Sequence, residues 1–119
     1  MKNPKTAVIV VSKLNLDLAV LVLKKIENCQ IHGLNIIDAK VDVTFKNLAK
    51  HIQLLQKEKT NIIAICSIPI IIRSLEGKLP KKHNGSCIVA LSPDGKYTVP
   101  LLDTHSGANE LATKLATIL

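Results

Sequence analysis

Three short runs of apolar and β-branched residues constrain the fold of this chain more than any other feature. They cover residues 6–11, 61–66 and 87–91. None of them alternates apolar with polar positions, and unbroken runs of this kind are typical of strands that are covered on both faces. Segments with helical periodicity follow the first two runs. This alternation of strand and helix, joined by short links, predicts a three-layer α/β/α sandwich with a mainly parallel sheet.

Four helices are expected. Asn15 is a candidate N-cap for a helix over residues 16–27, and Ser67 is a candidate N-cap for a third helix that has Pro69 in its first turn. The second helix is expected to begin near Thr44, capped by that residue or by Asp42. Its apolar positions recur at spacings of three and four: Phe45, Leu48, Ala49, Ile52 and Leu55. The same periodicity predicts a final helix from Ala108 onward.

The remaining strands are predicted from weaker signals. Residues 31–37 form a candidate strand that could lie at an edge, with His32 partly exposed, and His51 is expected on the solvent side of the second helix. Residues 92–95, Ser-Pro-Asp-Gly, form a turn sequence, because proline fixes one dihedral and glycine accepts a positive one. Residues 97–102 are therefore the return strand of a C-terminal β-hairpin. The complete pattern is flavodoxin/Rossmann-like.

Composition limits the class of protein. The chain of 119 residues is expected to form a single α/β domain, and its net charge of +7 favours an acidic partner or substrate. Only Phe45 and Tyr97 are aromatic, whereas proteins that bind single-stranded nucleic acid usually stack bases on several rings. A basic nucleic-acid-binding module is therefore the weaker reading. A small polycarboxylate accounts for the charge equally well.

The cellular environment is predicted from the cysteines and the apolar runs. The three cysteines, an odd number, are well separated among apolar neighbours, which favours reduced thiols over a disulfide or a metal site. No apolar run is long enough to cross a bilayer, and no cleavage site follows the basic N-terminus. We therefore expect a cytoplasmic protein that does not bind membranes.

One short segment contains most of the chemically active side chains. It joins the predicted return strand to the final helix, a junction whose backbone N–H groups suit an anionic ligand. His105 could act as a general base, a metal ligand or a hydrogen-bond donor, and Asp103 could orient its imidazole or cap the helix. Gly107 would let a ligand approach the backbone. The candidate residues here are Asp103, Thr104, His105, Ser106, Gly107 and Asn109.

Further candidates for anion binding lie earlier in the chain. Arg73 is one turn inside the third helix, where the position alone fits either a solvated or a ligand-binding side chain. Lys81 and Lys82 belong to a loop that is either a plain surface connection or a basic flap over an anion. Ser67 and the segment from Thr104 to Asn109 are expected at the same carboxyl edge of the sheet, where ligands bind in such folds. The motifs for a dinucleotide, a P-loop and a metal site are absent.

Several stretches together resemble a known family. They are the Ile-Ile-Ile-Arg run at residues 70–73, the turn at 94–97, Val-Pro-Leu-Leu at 99–102, and His-Ser-Gly-Ala-Asn-Glu-Leu-Ala at 105–112. In these the chain resembles the N-terminal domain of the cobalamin biosynthesis protein CbiG family, the cobalt-precorrin-5A hydrolases. The family usually has Ser-Gly where this chain has Asp103 and Thr104. Its members also have C-terminal domains that this sequence lacks.

The resemblance implies an activity and a substrate. It implies opening of the lactone of a ring-contracted cobalt tetrapyrrole, with release of acetaldehyde, in anaerobic cobalamin biosynthesis. The cobalt belongs to the substrate, so no cofactor is expected. His105 would activate water or polarise the lactone, while Arg73 and Asn109 would bind carboxylates. The implied partners are the anionic tetrapyrrole and the remaining domains of the same enzyme or of a partner chain, and a homo-oligomer is left open.

A non-catalytic role is the leading alternative. In that reading the domain only binds the carboxylates of the tetrapyrrole, and the other domains perform the chemistry. The sequence by itself does not decide between the two.

Overall fold

A computed structural model describes residues 5–37, 40–75, 86–102 and 108–118. In these residues six strands form a single sheet: β1 (Thr6–Val10), β2 (Cys29–Leu34), β3 (Val43–Phe45), β4 (Asn61–Ile65), β5 (Ile88–Leu91) and β6 (Thr98–Leu102). The helices are α1 (Leu16–Lys25), α2 (Leu48–Lys57), α3 (Ile68–Leu75) and α4 (Ala108–Ile118), and a 3-10 turn (Lys13–Asn15) precedes α1.

The sheet is parallel except at one edge. Its strand order is β3-β2-β1-β4-β5-β6, and only β6 runs antiparallel to its neighbour. This arrangement confirms the predicted α/β sandwich and the C-terminal hairpin. Pro100 lies opposite Val89 in β6, and a proline is tolerated there because an edge strand does not need every N–H for the ladder.

Helices cover both faces of the sheet. Alternate strand residues such as Val8 and Ile63 pack with α1 and α4 in one apolar cluster. Their neighbours Ala7 and Ile62 pack with α2 and α3 in a second cluster on the other face. Because β1 and β4 are buried on both faces, their sequences contain no alternation, as the three-layer prediction requires.

The region around β3 differs from the prediction. β2 is not an edge strand, because β3 pairs with it and forms the edge. Phe45, which was assigned to the helix by its spacing, belongs to β3, and its carbonyl accepts a hydrogen bond of 2.8 Å from the Asn35 amide. The helix begins later, at Leu48, and its N-cap is Asn47, whose side chain accepts from the Lys50 amide at 3.0 Å. Three residues are too short a run to predict a strand from periodicity.

We predict that replacing Asn47 with alanine destabilises the protein by about 1 kcal/mol, because the first turn of α2 loses its side-chain acceptor. The measurement is the free energy of unfolding in urea. Asn47→Ser, which keeps an acceptor at the same position, is the matched control and should retain most of the stability. Equal stability of the alanine and serine variants would contradict a capping role for Asn47.

Candidate functional site

The carboxyl ends of the parallel strands form the candidate binding edge. β1 leads through α1 to β2 on one side, whereas β4 leads through α3 to β5 on the other side. The chain therefore winds in opposite directions from two adjacent central strands, and ligands of open α/β sheets bind beyond the carboxyl ends of the strands at such a switch point. The segments that flank it are the link after β1 and the link after β4.

The link after β1 is held by Ser12. Its side-chain oxygen accepts a hydrogen bond of 3.3 Å from the Leu14 amide, and its carbonyl accepts one of 3.0 Å from the Asn15 amide. Ser12 thus caps the 3-10 turn. Asn15 occupies the predicted N-cap position of α1, but its side chain makes no capping hydrogen bond and lies buried. Lys13 and Leu14 are exposed at the tip of this link, Leu14 with 91% of its surface.

The link after β4 contains Ser67, which lies exposed at the position before α3. Its carbonyl accepts hydrogen bonds from the amides of Ile70 and Ile71, at 3.1 and 3.4 Å. The predicted start of α3 is therefore confirmed. Ser67 lies at the switch point, where the sequence analysis expected it.

The β5–β6 turn lies at the same edge and is built from short hydrogen bonds. Asp94 accepts from the Ser92 hydroxyl at 2.7 Å and from the Lys96 amide at 3.0 Å, and the Ser92 side chain accepts from the Tyr97 amide at 2.9 Å. The Lys96 amide and then the Ser92 hydroxyl lower the pKa of Asp94. Gly95 has a φ of +76°, which suits glycine at this position. The turn is thus fixed by its own side chains.

The structure does not bring Ser67, Arg73 and Asn109 together. Arg73 is exposed on α3, which covers one face of the sheet, and Asn109 is exposed on α4, which covers the other. β6 is antiparallel, so Leu102 lies opposite Ile88, the first residue of β5, at the amino edge. The strand that precedes the segment 103–107 therefore ends at the opposite edge from Ser67, and the expectation of a shared carboxyl edge is wrong for the described residues.

Seven other candidates lie outside the described residues. They are the two predicted catalytic residues and five of the predicted binding residues: Asp103, His105, Thr104, Ser106, Gly107, Lys81 and Lys82. Their roles stay predictions. Sequence reasoning in turn gave no role to Lys13, Leu14 or Lys96, although each follows a strong strand signal in a parallel sheet.

Two clefts lie away from this edge. One of about 490 Å³ runs between β6 and α4 and is lined by Pro100, Asn109 and small helix residues. The other, of about 450 Å³, lies at the amino edge between the end of α1 and the start of β2, with Lys5, Lys24 and Lys25 in its lining. Asn109 therefore faces a shallow groove of its own, separate from the switch point.

A histidine pair, of which His32 is buried and His51 is half-buried, joins β2 to α2. His32 Nδ1 lies 2.8 Å from His51 Nε2, so one nitrogen donates and the other accepts. His51 also stacks on Phe45, with ring centroids 4.6 Å apart. His32 is only 4% exposed, which corrects the predicted exposure of both histidines. Burial, reinforced by the neighbouring His51 and by Lys5, lowers the pKa of His32 to about 4, and burial lowers the pKa of His51 as well.

The cysteines have no sign of reactivity. All three are free thiols, and Cys66 and Cys87 are buried, as predicted for a reduced protein. Burial raises the pKa of Cys66 to about 11, and burial together with the charge of Asp42 does the same for Cys29. A thiol with a raised pKa is a poor nucleophile near neutral pH. No group of three or more potential metal ligands occurs in the part of the chain that the structure describes.

The fold defines a doubly wound α/β domain with a switch point between β1 and β4. The model of the family described as "Cobalamin synthesis G N-terminal" matches residues 50–119. The chain belongs to this family, which supports a role in cobalamin biosynthesis and confirms the resemblance noted in the sequence.

A solved structure agrees on the fold. It is the crystal structure of a cobalamin biosynthesis protein G homolog from Sulfolobus solfataricus, with a TM-score of 0.67 and 18% sequence identity over 96% of this chain. The present chain spans 34% of the length of that protein. No curated protein gives a significant sequence match. None of the described helices is long and apolar enough to cross a membrane.

The histidine pair predicts acid sensitivity of the folded state. Above pH 6.5 both the folded and the unfolded forms of His32 are neutral and stability is complete. Below that value the unfolded chain binds a proton first, so stability falls until the folded pKa of about 4 is reached. We expect the titration of His32 to lower the free energy of unfolding by roughly 2–3 kcal/mol, and the titration of His51 to lower it by a smaller amount.

The measurement is the free energy of urea unfolding between pH 7 and 4.5, where few carboxylates titrate. His32→Gln should be less stable than the wild type at pH 7 but lose less stability on acidification. The comparison uses the slope of the free energy of unfolding against pH and not the absolute stability of each variant. An unchanged slope in the glutamine variant would show that His32 is not the titrating group.

Proposed function

We propose that this chain is part of a cobalt-precorrin-5A hydrolase and binds the tetrapyrrole substrate whose lactone the enzyme opens, with release of acetaldehyde. The observation that carries the proposal is the family match over residues 50–119. That range includes Arg73 and the whole segment from Asp103 to Asn109. The matched part thus contains the candidate chemistry as well as the framework.

The charge of the chain supports an anionic substrate. Sixteen lysine and arginine residues stand against nine acidic residues, and the substrate implied by the family has many carboxylates. Lysine and arginine bind carboxylates through charge-assisted hydrogen bonds. Only one tyrosine and one phenylalanine are present, which fits a carboxylate ligand better than stacked nucleobases.

His105 is the proposed base. In lactone hydrolysis a base removes a proton from water as its oxygen attacks the carbonyl carbon, the ring carbon–oxygen bond breaks, and the leaving oxygen takes up the proton. Acetaldehyde is released when the carbon–carbon bond that joins the resulting hydroxyl-bearing two-carbon unit to the macrocycle breaks, with the hydroxyl proton leaving and the electron pair of that bond remaining on the macrocycle. Asp103 would orient the imidazole, and Thr104, Ser106 and Gly107 would contact the substrate. Arg73 and Asn109, on opposite faces of the sheet, would then bind separate parts of a large ligand or different ligands altogether.

A binding role without catalysis is the second candidate, and one observation favours it. Among the described residues, the histidines and cysteines with shifted pKa values are wholly or partly buried, and none of these lies exposed at the carboxyl edge. Proton transfer near neutral pH needs an accessible group that titrates there. In this reading the described framework binds the substrate, and the remaining domains perform the hydrolysis.

We predict that His105→Ala abolishes acetaldehyde release from cobalt-precorrin-5A in the complete enzyme, because the base is lost. A hundredfold or larger fall in kcat is expected, on the order of a lost general base, with a small effect on KM. Unfolding curves of the variant and the wild type should coincide. Near-normal turnover would exclude His105 from the mechanism.

One titration of this chain by itself distinguishes the catalytic role from the binding role. A cobalt corrinoid with a closed lactone is added while binding and ring opening are followed in the same sample. Ring opening shows that the domain is catalytic. Binding without ring opening favours the second candidate.

A further inference from the structure

The exposed apolar side chains of the described residues are unevenly distributed. Leu14, Ile36 and Tyr97 are the most exposed large ones, with 91%, 76% and 67% of their surfaces accessible. Each lies on a link that begins at the carboxyl end of a parallel strand, namely β1, β2 and β5. Scattered exposed apolar residues need no explanation, but a concentration at the binding edge of a doubly wound sheet does.

A cation lies beside two of these three side chains. Lys13 precedes Leu14 in the link after β1, and Lys96 precedes Tyr97 in the turn after β5, and all four residues are exposed. We call Lys13, Leu14, Lys96 and Tyr97 the carboxyl-edge surface. Two acidic residues lie nearby. Asp94 is engaged by hydrogen bonds within its own turn, and Asp17 is exposed in the first turn of α1.

The two halves of this surface are brought together and held in place. A methyl group built on Gly95 would lie 3.4 Å from Leu18 Cδ1, so the β5–β6 turn packs against the first turns of α1. Ser12 fixes the backbone at Leu14, and Ser92 fixes the backbone at Tyr97. A backbone that is already ordered in this way loses little further conformational entropy on binding, which favours recognition.

We propose that the carboxyl-edge surface binds the ring of an anionic tetrapyrrole, with Leu14 and Tyr97 against its apolar face and Lys13 and Lys96 at its peripheral carboxylates. The inference rests on the second form of the proposed function, in which this domain binds the substrate and the remaining domains perform the hydrolysis, because β6 ends at the opposite edge of the sheet. The chemistry of the substrate matches the surface in both respects, since the surface offers two apolar and two cationic side chains. A nucleotide would find no phosphate-binding glycine loop in the link after β1.

The test uses this chain and uroporphyrin I, a ring with eight carboxylates, in a fluorescence titration. Leu14→Ser and Tyr97→Ser should each weaken binding about tenfold, because an apolar contact is lost. Lys13→Ala and Lys96→Ala should each weaken it about threefold and reduce its dependence on salt. The matched controls are Leu54→Ser on α2 and Lys114→Ala on α4, which are also exposed and should leave affinity unchanged.

Two further probes separate the contributions of ring and charge. A tetracationic N-methylpyridyl porphyrin has the same ring without carboxylates and should bind far more weakly, as should benzene hexacarboxylate, which has the charge without the large ring. Equal effects of the surface and control variants, or equal binding of the cationic porphyrin, would overturn the inference. So would a dimer of this chain that Leu14→Ser dissociates while porphyrin affinity is unchanged.

The failure of this inference is distinguishable from failure of the proposed function. The four surface substitutions are combined in the complete enzyme, and acetaldehyde release from cobalt-precorrin-5A is measured. A raised KM with a largely retained kcat supports the surface as a binding site. Unchanged KM and kcat overturn the surface and leave the hydrolase proposal standing, whereas a wild-type enzyme that releases no acetaldehyde contradicts the hydrolase proposal itself.

Discussion

Burial of the central strands on both faces is the constraint on which the rest of this structure depends. All side chains of β1, and those of β4 after Asn61, are buried, so these strands contribute apolar packing and leave polar chemistry to other segments. Each strand then has only its ends free to meet a ligand. The parallel direction places the ends of β1, β4 and β5 at one edge, and the links that follow them provide a compact set of exposed side chains.

The reversal of chain direction at β6 determines which residues can contribute to the same site. A parallel sixth strand would have ended at the carboxyl edge and carried the following turn toward Ser67. The Ser-Pro-Asp-Gly turn instead sends the chain back antiparallel, and Leu102 ends beside the start of β5. The Ser-Pro-Asp-Gly signal predicts that hairpin, yet the segment that follows it was expected at the carboxyl edge. The two expectations conflict, because a two-stranded reversal always returns the chain to the edge from which the previous strand began.

The three layers could be predicted from the sequence because they depend on two clear patterns, namely unbroken apolar runs for the buried strands and regular helical spacing for the helices. Unbroken apolar runs identified β1, β4 and β5, and periodicity with cap residues identified the start of α3 and the existence of the other helices. β3 was missed because Phe45 also fits the helical spacing that continues at Leu48, and only the ladder with β2 decides between the two. The burial of His32 and His51 was missed for the same reason. A polar residue in a strand is buried or exposed according to a partner that is distant in sequence, here one residue on α2.

The site is less predictable than the fold because recognition depends on small links whose side chains have no periodicity. In the sequence Lys13 and Lys96 look like ordinary surface lysines. They become candidates for one binding surface only because the sheet places both links at one edge and Gly95 packs against Leu18. The residues with perturbed histidine and cysteine pKa values lie elsewhere, in the framework, where burial rather than a ligand accounts for the shifts. Among the histidines and cysteines a shifted pKa therefore reflects packing, while the proposed binding surface combines exposure, positive charge and an ordered backbone. The histidine pair between β2 and α2 is the clearest case, because His32 is buried in the sheet and His51 is half-buried against Phe45.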